Sequence, residues 1–174
     1  MRQARAQGAL ISFDPNWRPS LWDDHRLAHD LIWQTMPLSD IVKVADEEWE
    51  LVTGTSDFEA GAQKILAVGP RLLVTTKGSD GGAFIFNSNG RTGRGDVAGF
   101  SVKAIDTLGA GDAFVAGLLT RILEFPDLES ALTEENLLAA LRFANGCGAL
   151  ATTVSGAIPS LPSRNQVEDF LTRS

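Results

Sequence analysis

The stretch Asp106-Thr107-Leu108-Gly109-Ala110-Gly111-Asp112 runs directly into Ala113-Phe114-Val115-Ala116-Gly117-Leu118-Leu119, a small and apolar run of helical character. Two glycines around an alanine let the main chain turn tightly and aim its N–H groups in one direction. Those amides, with the positive end of the helix that follows, make a site for an anion. A carboxylate in the same place would repel that anion. Asp112 has a use there if it takes a proton from an attacking hydroxyl, and the pairing then reads as phosphoryl transfer to an alcohol. The alternative is a plain strand-to-helix turn with Asp112 as a solvated helix-start carboxylate, and Gly-Ala-Gly alone does not separate the two. No Gly-Lys-Ser/Thr follows the glycines, so this is not a Walker loop.

Such residues need elements to hold them. Residues 9–13 form a short apolar run that reads as a strand, stopped by Asp14-Pro15-Asn16. Residues 21–36 repeat with a helical period, with Leu27, Leu31, Ile32 and Trp33 as one face. A strand at 41–44 and a helix at 46–52, closed by Thr53-Gly54, come next. A helix at 58–66, a strand at 72–76, a glycine turn at 78–82 and a strand at 83–86 follow, then a turn at Asn89-Gly90. Thr92-Gly93-Arg94-Gly95 reads as a loop, and 102–105 as the strand leading into the glycine motif. The helix after the motif stops before Pro126, Thr133 caps a long helix to about residue 151, and Ser163 with Gln166 resembles a capping box. Strands interleaved with helices predict an α/β fold with a largely parallel sheet flanked by helices. No repeat, low-complexity tract or inner linker divides residues 1–174.

The bulk of the chain narrows the function further. At 174 residues, 44% hydrophobic and 21% charged, it has the make-up of a globular domain. A net charge of −7 argues against nucleic acid or an anionic membrane as partner. Cys147 is the only cysteine, which excludes an internal disulfide and points to a reducing, cytoplasmic compartment. No apolar run is long enough to span a bilayer. Residues 1–7 lack the apolar core of a signal peptide and read as the last turns of a helix ended by Gly8, so further chain is expected before them. His25 and His29 are four apart and could share a metal, but without a His-Glu-x-x-His pattern or a cysteine cluster they read as a solvated helix face.

The motif Asp-Thr-x-Gly-Ala-Gly-Asp resembles the C-terminal signature of the ribokinase-like (PfkB) carbohydrate kinases. Residues 13–22, Phe-Asp-Pro-Asn-Trp-Arg-Pro-Ser-Leu-Trp, are similar to the fructokinase branch. So are residues 143–149 and 156–160, and the order and spacing fit along nearly the whole chain. The resemblance implies a ribokinase-like fold in which 1–174 is the C-terminal part of a single kinase domain, the N-terminal half and its lid being absent. It implies ATP-dependent phosphorylation of a sugar hydroxyl, with fructose as the first expectation. A 2-keto-3-deoxygluconate kinase, which shares the Asp-Pro-Asn-x-Arg segment, is one alternative. A catalytically silent nucleotide-binding fragment is the other.

Residue by residue, the resemblance makes Asp112 the base and Gly109, Ala110 and Gly111 the amide donors to the γ-phosphoryl oxygens. Asn16 and Arg18 face the substrate or the transferring phosphate, a task that suits a guanidinium. Thr76 and Gly78 form the turn beneath the nucleotide, and Asn145 falls at the adenine pocket. The family's Asn-x-x-Glu pattern, which orders water around Mg²⁺, is here Ala45-Asp46-Glu47-Glu48. Glu48 is kept and the asparagine is not. Asp106, Leu108, Ala151, Val154, Gly156 and Ser160 match positions that ring a monovalent cation such as K⁺, mostly through carbonyls. The partners implied are a sugar and ATP, and a sheet cut partway would leave an edge inviting association with another copy.

Overall fold

Two five-residue apolar runs become the inner strands of the sheet in the computed structural model, which describes residues 1–174. β2 (Ile41–Ala45) and β3 (Leu72–Thr76) pair in parallel, Ile41 opposite Leu72 and Ala45 opposite Thr76. The first four residues of each are buried, as in strands covered on both faces. β1 (Ser12–Phe13) lies parallel to β2 on its other side. It is shorter than the predicted strand. Ile11, just before it, gives its carbonyl to the amides of Asp40 and Ile41 and its own amide to the Asp40 carboxylate.

β4 (Gly82–Ser88) and β5 (Arg91–Val97) complete the order β1-β2-β3-β4-β5. Asn89 (φ 51°) and Gly90 (φ 78°) form the two-residue turn between them, which makes that pair antiparallel. The sheet is therefore mixed, a parallel part followed by a hairpin. Residues 92–95, expected to be a loop, lie inside β5. Thr-Gly-Arg-Gly has little strand propensity of its own, and the hairpin turn imposes the pairing.

The chain forms two compact units, residues 1–76 with 84–94, and residues 77–83 with 95–174. In the first, α1 (Arg2–Ala6) precedes β1, and α2 (His25–Thr35) is capped by Asp24, whose carboxylate accepts the amides of Arg26 and Leu27. It starts later than the periodicity predicts, residues 19–21 being a separate 3₁₀ turn. Its buried face also differs from the expected one. Ala28, Ile32 and Met36, four apart, enter the core, while Leu27 and Leu31 are 50% and 41% exposed. With Val42, Val44 and Leu73 of the sheet, Trp49 and Val52 of α3 (Asp46–Thr53) and Ile65 of α4 (Phe58–Ala67), they form this unit's core.

In the second unit, α5 (Ala110–Ile122) packs along α7 (Glu134–Ala151), and α8 (Arg164–Arg173) packs on α7. At Gly117 a Cβ would stand 2.6 Å from Cys147 Sγ, so a glycine is what lets α5 and α7 approach. Burial pushes the Cys147 thiol up to about 11, as expected of a packed cysteine. Thr133 and Ser163 cap α7 and α8 as predicted. The four-residue α6 (Leu128–Ala131), capped by Asp127, adds a turn before them. No helix is long and apolar enough to cross a membrane.

Candidate active site

The glycine motif lies in the second unit, and its turn is built from both ends. Residues 102–105 are irregular rather than a strand. They are fixed where the amides of Ile105 and Asp106 both donate to the Thr152 carbonyl, at 2.7 and 3.1 Å. The Asp106 carboxylate then accepts the amides of Leu108 (3.0 Å) and Gly156 (2.9 Å). The Gly156 amide, followed by that of Leu108, holds this carboxyl below the usual aspartate range. Asp106 thus ties the motif to the loop after α7.

Gly109 takes φ +81° as the residue before α5, and a Cβ there would lie 3.0 Å from that of Ala157. Both facts call for glycine. The Ala110 amide is used by the Thr107 carbonyl at 3.2 Å. The amides of Gly109, Gly111 and Asp112 have no acceptor in the chain, so the donors open to a ligand are these three rather than the Gly-Ala-Gly set read from the sequence. Asp112, the third residue of α5, is exposed, and no hydrogen bond or ion pair engages its carboxylate. Free amides at a helix start beside a free carboxylate are the two parts needed for anion binding and proton removal.

The positions expected to ring a monovalent cation fall in the same two loops, apart from Ala151, the last residue of α7. The main-chain carbonyls of Asp106, Leu108, Ala151, Val154, Gly156 and Ser160 take no hydrogen bond from the rest of the chain. Asn145, 7% exposed on α7, spends its side-chain amide on the carbonyls of Val97 (3.3 Å) and Ala98 (3.2 Å). It therefore anchors the segment after β5. Gly78 sits in a one-turn 3₁₀ helix at φ 54° with open space where a side chain would be.

The first unit holds the other candidates. Thr76 is half-buried at the end of β3. Asn16 is exposed, with φ 44°. Arg18 is exposed and makes no hydrogen bond or ion pair through its guanidinium. It lines a cavity of about 320 Å³ with Trp17, Pro19, Ala45, Glu47, Glu48 and Leu51. Glu48 is 3% exposed. Its Oε1 accepts the Ala45 amide at 2.9 Å and its Oε2 the Trp17 amide. One lone pair on each oxygen remains, and the cavity has room for several waters, so Glu48 fits a water-mediated role toward a cation. No group of three or more His, Cys, Asp or Glu residues is arranged to hold a metal directly. His25 and His29 instead pack their rings against Trp17, and His29 also against Trp33.

Sequence reading passed over Lys43. It is 5% exposed in the middle of β2, with its ammonium 3.2 Å from Asp14. The available signal was a lone charge inside an apolar strand, which needs a partner.

The pattern of the pfkB family of carbohydrate kinases matches residues 1–164. The chain belongs to that family. Among its relatives, probable fructokinase-7 of Arabidopsis thaliana is 38% identical over 174 residues, 98% of this chain and 49% of the relative. Fructokinase-1 of Zea mays is 39% identical over 175 residues, 100% of this chain and 52% of the relative. The chain thus spans about half the length of the kinases it matches. A fructokinase from Xylella fastidiosa with bound ATP superposes with a TM-score of 0.88 at 32% identity, covering 99% of this chain and 54% of that one. The fructose-, ADP- and calcium-bound fructokinase of Vibrio cholerae gives 0.85 at 38% identity, covering 98% and 53%. The ribokinase-like architecture expected from the sequence is the one found.

Proposed function

We propose that the chain carries the phosphoryl-transfer side of an ATP-dependent sugar kinase, with fructose as the acceptor, and is the C-terminal part of a single kinase domain. The observation that carries the proposal is the start of α5, where unpaired amides of Gly109, Gly111 and Asp112 stand beside an unengaged carboxylate. In this reading the amides receive the γ-phosphoryl oxygens, and Asp112 takes the proton from the sugar hydroxyl as it attacks. In the first unit, Asn16 and Arg18 are the candidates for the substrate or the transferring phosphate and Thr76 for the nucleotide; in the second, Gly78 and Asn145 are the nucleotide candidates.

Mg²⁺ arriving with ATP would neutralise phosphate charge, with Glu48 reaching it through water. The six free carbonyls, five in the two joined loops and one at the end of α7, support a site for K⁺. The fructose and ADP bound by the Vibrio cholerae relative support the substrate assignment. The single buried Cys147 suits a reducing cytoplasm, and the edge strand β1 is a place for association with another chain.

Calorimetry with ATP, beside an ADP-release assay offering fructose or 2-keto-3-deoxygluconate, tests the proposal. Spanning half the length of its relatives, the 174-residue chain should bind ATP weakly and turn over little. The longest form the gene encodes should prefer fructose. Preference for the keto acid would reassign the acceptor, and no ATP binding by either form would overturn the kinase reading.

A further inference from the structure

The loop between β1 and α2 is fixed from two sides by buried charges. Asn16 holds a φ of 44°, a left-handed conformation that asparagine tolerates better than most side chains. On one side, the Lys43 side chain is 7% exposed and reaches Asp14 Oδ2 at 3.2 Å. Asp14 Oδ1 in turn accepts the Asn16 amide at 3.1 Å. On the other side, Glu48 accepts the amides of both Trp17 and Ala45. Lys43 belongs to β2 and Glu48 to the first turn of α3, which follows without a break, so both anchors ride on one rigid stretch. The next residue, Arg18, is the exposed, unpaired guanidinium on the cavity wall. Buried charges add little net stability compared with apolar residues, so keeping two of them behind one loop calls for a geometric reason.

We infer that Lys43, through Asp14, and Glu48, through the Trp17 amide, act as one clamp of positioning residues that fixes the loop at 16–18 and holds Arg18 toward the cavity. The clamp stands on geometry alone. Only the anion that Arg18 would then meet rests on the kinase reading.

Residue-resolved amide exchange by NMR, with ATP calorimetry on the same samples, tests the clamp. If the two sides work as one, Lys43→Met speeds exchange at Trp17, whose own acceptor is untouched, by about tenfold or more. Glu48→Ala does the same at Asn16, and Lys43→Arg leaves both as in wild type. Amides of β3 should stay within about twofold, showing that the fold persists. Lys43→Met alone strands the Asp14 charge, so the double Lys43→Met/Asp14→Leu variant, with no unpaired charge, should show the same loosening at Trp17. Unchanged Trp17 exchange in both Lys43→Met variants would overturn the clamp. Loosening at Trp17 with ATP affinity intact would keep the clamp and remove the phosphate role of Arg18.

Discussion

Asp106 shows how one side chain can join two distant stretches of the chain. Its carboxylate accepts amides from residues 108 and 156, so a single charge joins the glycine turn to a loop far along the chain. Because those bonds favour the ionised form, its folded pKa lies below the unfolded value. The contribution is therefore fully present above about pH 4 and is lost as pH falls through the lower, folded value. Thermal unfolding followed from neutral to acid pH should show Asp106→Asn less stable at pH 7, with the two proteins converging in acid. Parallel curves would mean that the charge is not what holds the loops together. The motif marked Asp106 as important, but its partner at Gly156 is a tertiary contact with no local trace. The lone lysine within Ile-Val-Lys-Val was legible as an anomaly, whereas its partner Asp14 was not.

Helices and strands were legible to the extent that local rules governed them. β2 and β3 follow from their apolar runs, and the caps of α7 and α8 from Thr133 and from Ser163 with Gln166. The face of α2 was misread because its apolar residues cover too wide an arc, and tertiary packing chose the arc containing Ala28 and Met36. The consequence is measurable by denaturant unfolding. Ile32→Ala should cost about 2–5 kcal/mol, while Leu31→Ser should stay within about 0.5 kcal/mol. Equal losses would put Leu31 back in the core. At the head of α5, Gly109→Ala combines a positive φ with a close approach to Ala157. A cost of roughly 1–2 kcal/mol and weaker ATP binding should follow together. Lost stability with ATP affinity intact would show that binding does not need the left-handed residue.

At the scale of the molecule, 174 residues hold the amide turn, the carboxylate proposed as base and the loop at 16–18, and match about half of each relative's length. The family was legible in the seven-residue motif together with residues 13–22, 143–149 and 156–160, each a short run of contiguous sequence. The engagement of Asn145 by residues 97 and 98, and of Glu48 by the Trp17 amide, was not, since it depends on how distant segments pack. The central claim is that Asp112 removes the acceptor's proton beside a phosphate held at the start of α5. Asp112→Asn in the longest form the gene encodes tests it by ADP release with fructose, alongside ATP calorimetry. Turnover should fall by about 10²–10⁴-fold while ATP affinity is kept; near-normal turnover would contradict the account.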